Sequence, residues 1–226
     1  MKTKLIFFSL FAAMIMVLNA ESSLSQASQV WMQRYNGSAD STDYAEQIVV
    51  DASGNIYVTG ATISAGGAHY DIITIKYGPD GNIQWLQKYN GPADSTDYAS
   101  SIAVDISGNV YITGSSFGNG TKSDYVTIKY NSSGVQQWAQ RYNAPDNESD
   151  NAYALTLDAS GNVYVTGTSF IAGSTYDIYT IKYNTSGVQQ WAQRYNAPGN
   201  STDSPSEIAL DDAGNVYVAG YSIGIG

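Results

Sequence analysis

Short apolar and alternating segments recur along most of the chain, separated by turns rich in Gly, Asp and Asn. In residues 71–77 the side chains of Ile73, Ile75 and Tyr77 alternate with residues that would face the other way. Alternation with a period of two is typical of a β-strand. Residues 48–50 are apolar throughout, as in a strand that is covered on both faces. No segment after residue 28 has the period of an amphipathic helix, so the pattern predicts an all-β fold.

The same segments return at a nearly constant spacing. The four tryptophans, Trp31, Trp85, Trp138 and Trp191, follow one another at spacings of 54, 53 and 53 residues. The segment DASGNIYVTG starts at Asp51 and returns with small changes at the equivalent places of the later copies, which start at Asp105, Asp158 and Asp211. Self-similarity at a fixed period is the signature of a repeat architecture.

Each repeat contains four predicted strands, which we name a to d. Strand a covers 48–50, 102–104, 155–157 and 208–210; strand b covers 56–59 and its copies; strand c covers 71–77, 124–130 and 177–183; strand d covers 30–35, 83–89, 135–142 and 188–195. Gly54 and Gly81 stand where the a–b and c–d turns need a positive φ, and Asp51 can cap the a–b turn.

Tandem four-stranded units of this length predict the blades of a β-propeller. The repeat domain would span residues 29–226, with units at 37–89, 90–142 and 143–195 and a partial unit at 196–226. Counting strands gives about three and three-quarter blades. We therefore expect an incomplete ring, in a chain that is a piece of a longer protein.

The sequence resembles the SBBP repeat, a β-propeller repeat of exported bacterial proteins, over roughly residues 29–220. Three patterns carry the resemblance: the DASGNIYVTG segment, the D-x-x-T-I-K-Y pattern of strand c, and G-x-x-x-W followed by x-x-x-Y-N in strand d. The resemblance implies a propeller of about seven blades in the complete protein. It implies little about a ligand.

The first 20 residues have the pattern of a secretory signal peptide. Lys2 and Lys4 form a basic head, and residues 5–18 are apolar except for Ser9. This apolar stretch is shorter than the roughly 20 residues that a membrane-spanning helix needs. The pattern predicts cleavage after Ala20, a linker at 21–28, and a secreted or cell-surface protein without a membrane span. An uncleaved N-terminal anchor is the alternative.

Charge and cysteine content exclude several classes of function. The net charge is −10, and the basic residues are isolated from one another along the sequence. Nucleic-acid binding needs clustered Lys and Arg, so it is not expected. The chain contains no Cys, which excludes disulfides and thiolate metal sites.

The loops predicted after strands b and d are long and would share one face, which we call the long-loop face. Loops on a rigid scaffold commonly carry function. The predicted d–a loops, at 36–46, 90–100, 143–153 and 196–206, collect acidic side chains. The candidate ligand-binding residues on this face are Asp43, Asp97, Asp150, Asp203, Tyr44 and Tyr98.

Three interpretations of these acids remain open. They can cap turns and stay solvated, they can bind Ca²⁺ through clustered oxygens, or they can form a carboxylate pair for glycoside hydrolysis. No confident metal site and no required cofactor follow from the sequence. Tyr44, Tyr98 and Tyr70 could also stack on a carbohydrate.

No pattern predicts a catalytic centre. Gly114 to Gly118 fits G-x-S-x-G, but that motif needs a strand-to-helix elbow and a later His, whereas the single His69 comes earlier. We expect a non-catalytic exported scaffold whose long-loop face binds an extracellular protein or glycan. The alternatives are a propeller-fold hydrolase or lyase, and a calcium-stabilised structural module of a larger surface protein.

Overall fold

The computed structural model of the chain describes residues 5–9, 12–17, 28–64, 66–171 and 175–224, and every regular element in these ranges is a β-strand. The first sheet contains β1 (Leu5–Ser9), β2 (Ala12–Val17) and β3 (Ser28–Gln33), in that order. The predicted cleavage point after Ala20 and the linker, apart from Ser28, lie outside the described residues. No helix able to cross a membrane is found in the part of the chain that the structure describes.

Three four-stranded antiparallel sheets follow in tandem, and they confirm the predicted blades. Their strands are β4 (Tyr44–Val50), β5 (Ile56–Ile63), β6 (Tyr70–Tyr77), β7 (Ile83–Tyr89); β8 (Asp97–Val104), β9 (Val110–Phe117), β10 (Ser123–Tyr130), β11 (Gln136–Tyr142); and β12 (Asp150–Leu157), β13 (Val163–Phe170), β14 (Tyr176–Tyr183), β15 (Gln189–Tyr195). Within each sheet the neighbours follow the order a, b, c, d. A two-stranded sheet of β16 (Asp203–Leu210) and β17 (Val216–Ser222) completes the described part.

The hydrophobic core lies between consecutive sheets. Tyr57 and Ile72 of the first blade join Ile102, Val126 and Ile128 of the second blade in one buried cluster. The next cluster unites the second and third blades in the same way, and a third cluster joins the third blade to β16. A single sheet of this size cannot bury its faces alone, so each blade depends on its neighbours.

At the first three junctions a tryptophan packs on the c–d turn of the following blade. A Cβ placed on Gly134 would lie 2.8 Å from Cδ2 of Trp85, so only glycine leaves room for the indole. The indole N–H of Trp85 donates to the carbonyl of Ser132 at 3.1 Å. The same pair of contacts joins Trp31 to the turn containing Gly81, and Trp138 to the turn containing Gly187.

Strand a is longer than the sequence pattern predicts. It begins at Tyr44, Asp97, Asp150 and Asp203, so these candidate residues lie at the start of a strand instead of inside a d–a loop. The prediction failed because a β-bulge interrupts the strand, for example between Ala99 and Ser101, and hides its alternation.

The series of blades is open within the described residues. The first sheet and the β16–β17 sheet each hold their own strands and do not pair with one another. This agrees with the incomplete ring that the repeat count predicts.

Candidate functional site

Three of the four candidate aspartates are buried at the foot of the d–a loops. Asp97, Asp150 and Asp203 are at most 1% exposed. The carboxylate of Asp97 accepts the backbone N–H of Gly91 at 2.6 Å, six residues earlier, and Asp150 and Asp203 accept the equivalent N–H at 2.7 and 2.8 Å. These contacts close the d–a loop, so the three aspartates cap turns, as in the first of the three interpretations above. A ligand contact of these aspartates stays a prediction.

Asp43 has the same capping role in a half-buried position. Its carboxylate accepts the N–H of Gly37 at 2.8 Å and the hydroxyl of Thr62 at 2.6 Å. Asp97, Asp150 and Asp203 instead each keep one buried carboxylate oxygen without a hydrogen-bond partner. In the first repeat both oxygens of the capping carboxylate accept hydrogen bonds, whereas in the later repeats only one oxygen does.

Burial gives two of these aspartates an unusual affinity for a proton. Burial raises the pKa of Asp150 to about 6, with the nearby Asp124 carboxylate adding to the effect, although the hydrogen bond from the backbone N–H of Ala144 opposes it. Burial also raises the pKa of Asp97. Both carboxylates are thus buried where the d–a loop closes, and they do not line an open, negatively charged cleft.

The remaining loop acids also have local partners. Asp94 adopts a positive φ in the turn and accepts the side-chain N–H of Asn90 at 2.7 Å. Glu148 forms a salt bridge with Lys122. Among the residues that the structure describes, no group of three His, Asp or Glu side chains converges as metal ligands would.

The long-loop face carries a cluster of three tyrosines that spans the first two blades. Tyr70 at the start of β6 lies between Tyr44 of β4 and Tyr98 of β8, with ring centroids 5.4 and 5.6 Å apart. Tyr44 and Tyr98 are 42% and 43% exposed, so both rings are open to solvent in part. The structure thus brings the candidates Tyr44 and Tyr98 together around Tyr70.

The hydroxyl groups of the tyrosine cluster interact. Tyr70 donates to Tyr44 across 3.5 Å, and this contact, together with burial and nearby Tyr98 and Asp43, raises the pKa of Tyr70 to about 12. The cluster is specific to this junction: the second blade has Ser123 where the first has Tyr70, and the third blade keeps Tyr176 but has Asn151 where the first two blades have Tyr44 and Tyr98. The sequence marks Tyr70 as a candidate but does not indicate that it packs between the other two tyrosines, because 26 and 28 residues separate it from Tyr44 and Tyr98.

The opposite face is built from repeated turn contacts. The carboxylate of Asp51 accepts the backbone N–H groups of Ser53 and Asn55 at 2.8 and 2.9 Å, and the Tyr57 hydroxyl at 3.0 Å. Burial by itself would raise the pKa of Asp51, but the hydrogen bonds from Asn55, Tyr57 and Ser53 outweigh it and lower the pKa. This confirms the predicted capping Asp, and the later repeats make the same contacts at Asp105, Asp158 and Asp211.

The G-x-S-x-G match lies on a strand and the turn after it. Gly114 is within β9, and the central Ser116 is buried and accepts a hydrogen bond from the Arg141 guanidinium. His69 is exposed in the loop before β6. The geometry around this motif is therefore an internal contact of the second blade.

A family model described as Beta-propeller repeat (SBBP) matches the chain at residues 30–68, 84–120, 137–171 and 190–226. The chain belongs to this family. Each match starts in strand d of one unit and continues through strands a and b of the next, so the SBBP repeat is offset from the structural blade. No curated protein matches the chain.

Proposed function

We propose that this SBBP-repeat protein is an exported, non-catalytic scaffold whose long-loop face binds an extracellular glycan through Tyr44, Tyr70 and Tyr98. The observation that supports this most is the exposure of adjacent tyrosine rings at a junction between two rigid blades. Tyrosine combines an apolar ring face with a hydroxyl group, which suits a sugar with its C–H faces and hydroxyls. The rings belong to strand ends and are therefore held in place before a ligand arrives.

The charge of the protein narrows the class of glycan. At a net charge of −10, with Asp43 close enough to the cluster to raise the pKa of Tyr70, an anionic polysaccharide would be repelled. A neutral glycan, or one with amino sugars, fits this surface better. A protein partner is the second candidate, because tyrosine is also enriched in the cores of protein interfaces.

The absence of a catalytic role is also part of the proposal. A hydrolase or lyase on this face would need a carboxylate pair that reaches the bound substrate. The candidate aspartates instead cap loops at the base of the blades, and three of them are buried.

Binding of the full chain to an array of neutral, basic and acidic glycans tests the proposal. We expect neutral or basic glycans to bind, and we expect replacement of Tyr44 and Tyr98 by Ala to weaken binding at least about tenfold, a loss of about 1.4 kcal/mol. Tyr217→Ala is the matched control, because Tyr217 is also exposed but lies on β17, next to the a–b turn of the opposite face. Equal loss in the control, or no glycan bound by the intact chain, would overturn the glycan proposal.

A further inference from the structure

The last blade in the described residues has an uncovered strand edge beside an uncovered tryptophan. In β5, β9 and β13 nearly every residue is buried, because a strand c pairs alongside and the neighbouring sheets cover both faces. In β17 every residue after Val216 is exposed, and no described strand pairs with its outer edge. Trp191 is 37% exposed, whereas the other tryptophans are half-buried against a following turn.

A cavity of about 430 Å³ lies between the third blade and β17. Its walls include Ile178, Trp191 and Tyr195 of the third blade and Val218 and Tyr221 of β17. The equivalent side of the first blade is filled by the neighbouring strand c: residues of β10 pack there with Ile72, Trp85 and Tyr89. The cavity therefore has the position and the lining of a groove for a strand c.

At each of two earlier junctions a tryptophan and a lysine donate hydrogen bonds to one carbonyl of the c–d turn. The carbonyl of Ser132 accepts from the indole of Trp85 at 3.1 Å and from the ammonium of Lys76 at 3.4 Å. The carbonyl of Thr185 accepts the same two bonds, at 3.1 Å each, from Trp138 and Lys129.

At the third blade the corresponding donors are Trp191 and Lys182, which pair in register on adjacent strands. Within the described ranges no carbonyl accepts from the indole of Trp191. The donors that hold a c–d turn at the two earlier junctions are thus both present at this edge.

We propose that this edge is a docking site for a segment with the repeat's own strand c and c–d turn, which adds to β17 as an antiparallel strand. The inference extends the interface that already joins the blades, and it is independent of the proposed glycan binding. The segment would place alternate apolar side chains in the cavity and a turn glycine on the Trp191 ring. Strand addition to an open edge gains backbone hydrogen bonds, and the pockets for alternate side chains give specificity.

A synthetic peptide of residues 123–135 is a suitable probe, because it contains strand c and the turn of the second blade and no Trp. Two variants keep its length and test separate contacts. Gly134→Val would force a side chain into the indole, since even a Cβ at Gly134 would lie 2.8 Å from the ring of Trp85, which it faces on the first blade. Ile128→Asp would place a charge in the apolar cavity.

The measurement is a titration of the full, ¹⁵N-labelled chain followed by NMR. We expect saturable shifts of the Trp191 indole and of the backbone amides of β17, with at least tenfold weaker binding for either peptide variant and for a Trp191→Ala protein. Gln190→Ala, an exposed neighbour on β15, should bind like the unchanged chain. The proposal is overturned if the shifts are absent, if the variant peptides bind equally well, or if the edge is occupied by a second copy of the chain that the peptide does not displace.

Discussion

Replacing Gly114 by Ala is expected to destabilise the protein far more than a methyl group in open space would. Gly114 of β9 faces the bulge in β8, and a Cβ at this position would lie 1.9 Å from the carbonyl oxygen of Tyr98 and 2.9 Å from Cα of Ala99. Both neighbours are backbone atoms, so no change of rotamer can relieve the contact. β8 would have to move away from β9 by more than about 1 Å, or lose its pairing there.

The expected cost follows from these contacts. Overpacking of a close-packed core costs about 1–3 kcal/mol, and loss of the adjacent backbone hydrogen bond adds about 1 kcal/mol. We therefore expect Gly114→Ala to lower the free energy of unfolding by about 2–4 kcal/mol. For a chain of this length that corresponds to a fall in Tm of roughly 10 °C.

Gly120→Ala is the matched control in the same blade. Gly120 has a φ of 80° and no atom within 4 Å of its Cβ position, so its cost is only that of the left-handed backbone, about 1–2 kcal/mol. Both substitutions reduce the freedom of the unfolded chain equally, so that contribution cancels in the comparison. Thermal unfolding followed by circular dichroism measures both. If Gly114→Ala is no more destabilising than Gly120→Ala, the bulge geometry is wrong.

Two further predictions concern ionisation. Because the folded pKa of Asp150 is raised above its ordinary value to about 6, its contribution to stability is present below about pH 4 and is lost as the pH rises through 6, by at most about 3 kcal/mol. Asp150→Asn should flatten the dependence of Tm on pH between 4 and 7 relative to the unchanged chain. Equal slopes for the two proteins would refute the buried carboxylate. Tyr44→Phe should lower the pKa of Tyr70 from about 12 toward its usual range in an NMR titration of ¹³C-labelled tyrosine, and an unchanged pKa would show that the two hydroxyls do not interact.

The blades could be predicted from the sequence because their determinants are local and repeated. A capping Asp, a turn Gly and an alternating strand c each lie within one hairpin, so Asp51 and Gly54 reveal their roles without any long-range information. The tryptophan spacing adds the period of the stack. What it does not reveal is the partner of each indole, because the contact joins Trp85 to a turn 47 residues away.

The candidate site was harder to predict because it depends on features that break the repeat. The β-bulge hid the start of strand a, so Asp97 and Asp150 looked like loop ligands although they are buried caps. The tyrosine cluster needs Tyr70, which has no counterpart in the second blade, and it forms only when two blades stack. The burial of the aspartates and the assembly of the tyrosine cluster both depend on packing between residues that are far apart in the sequence.

The central structural claim is that successive sheets stack in chain order through a tryptophan of one blade and the turn glycine of the next. Nuclear Overhauser contacts between indole ring protons and glycine α-protons test it directly. We expect contacts of Trp31, Trp85 and Trp138 with Gly81, Gly134 and Gly187, respectively, and upfield-shifted α-protons for these three glycines. Contacts of an indole with the turn glycine of its own unit, or with neither, would contradict it.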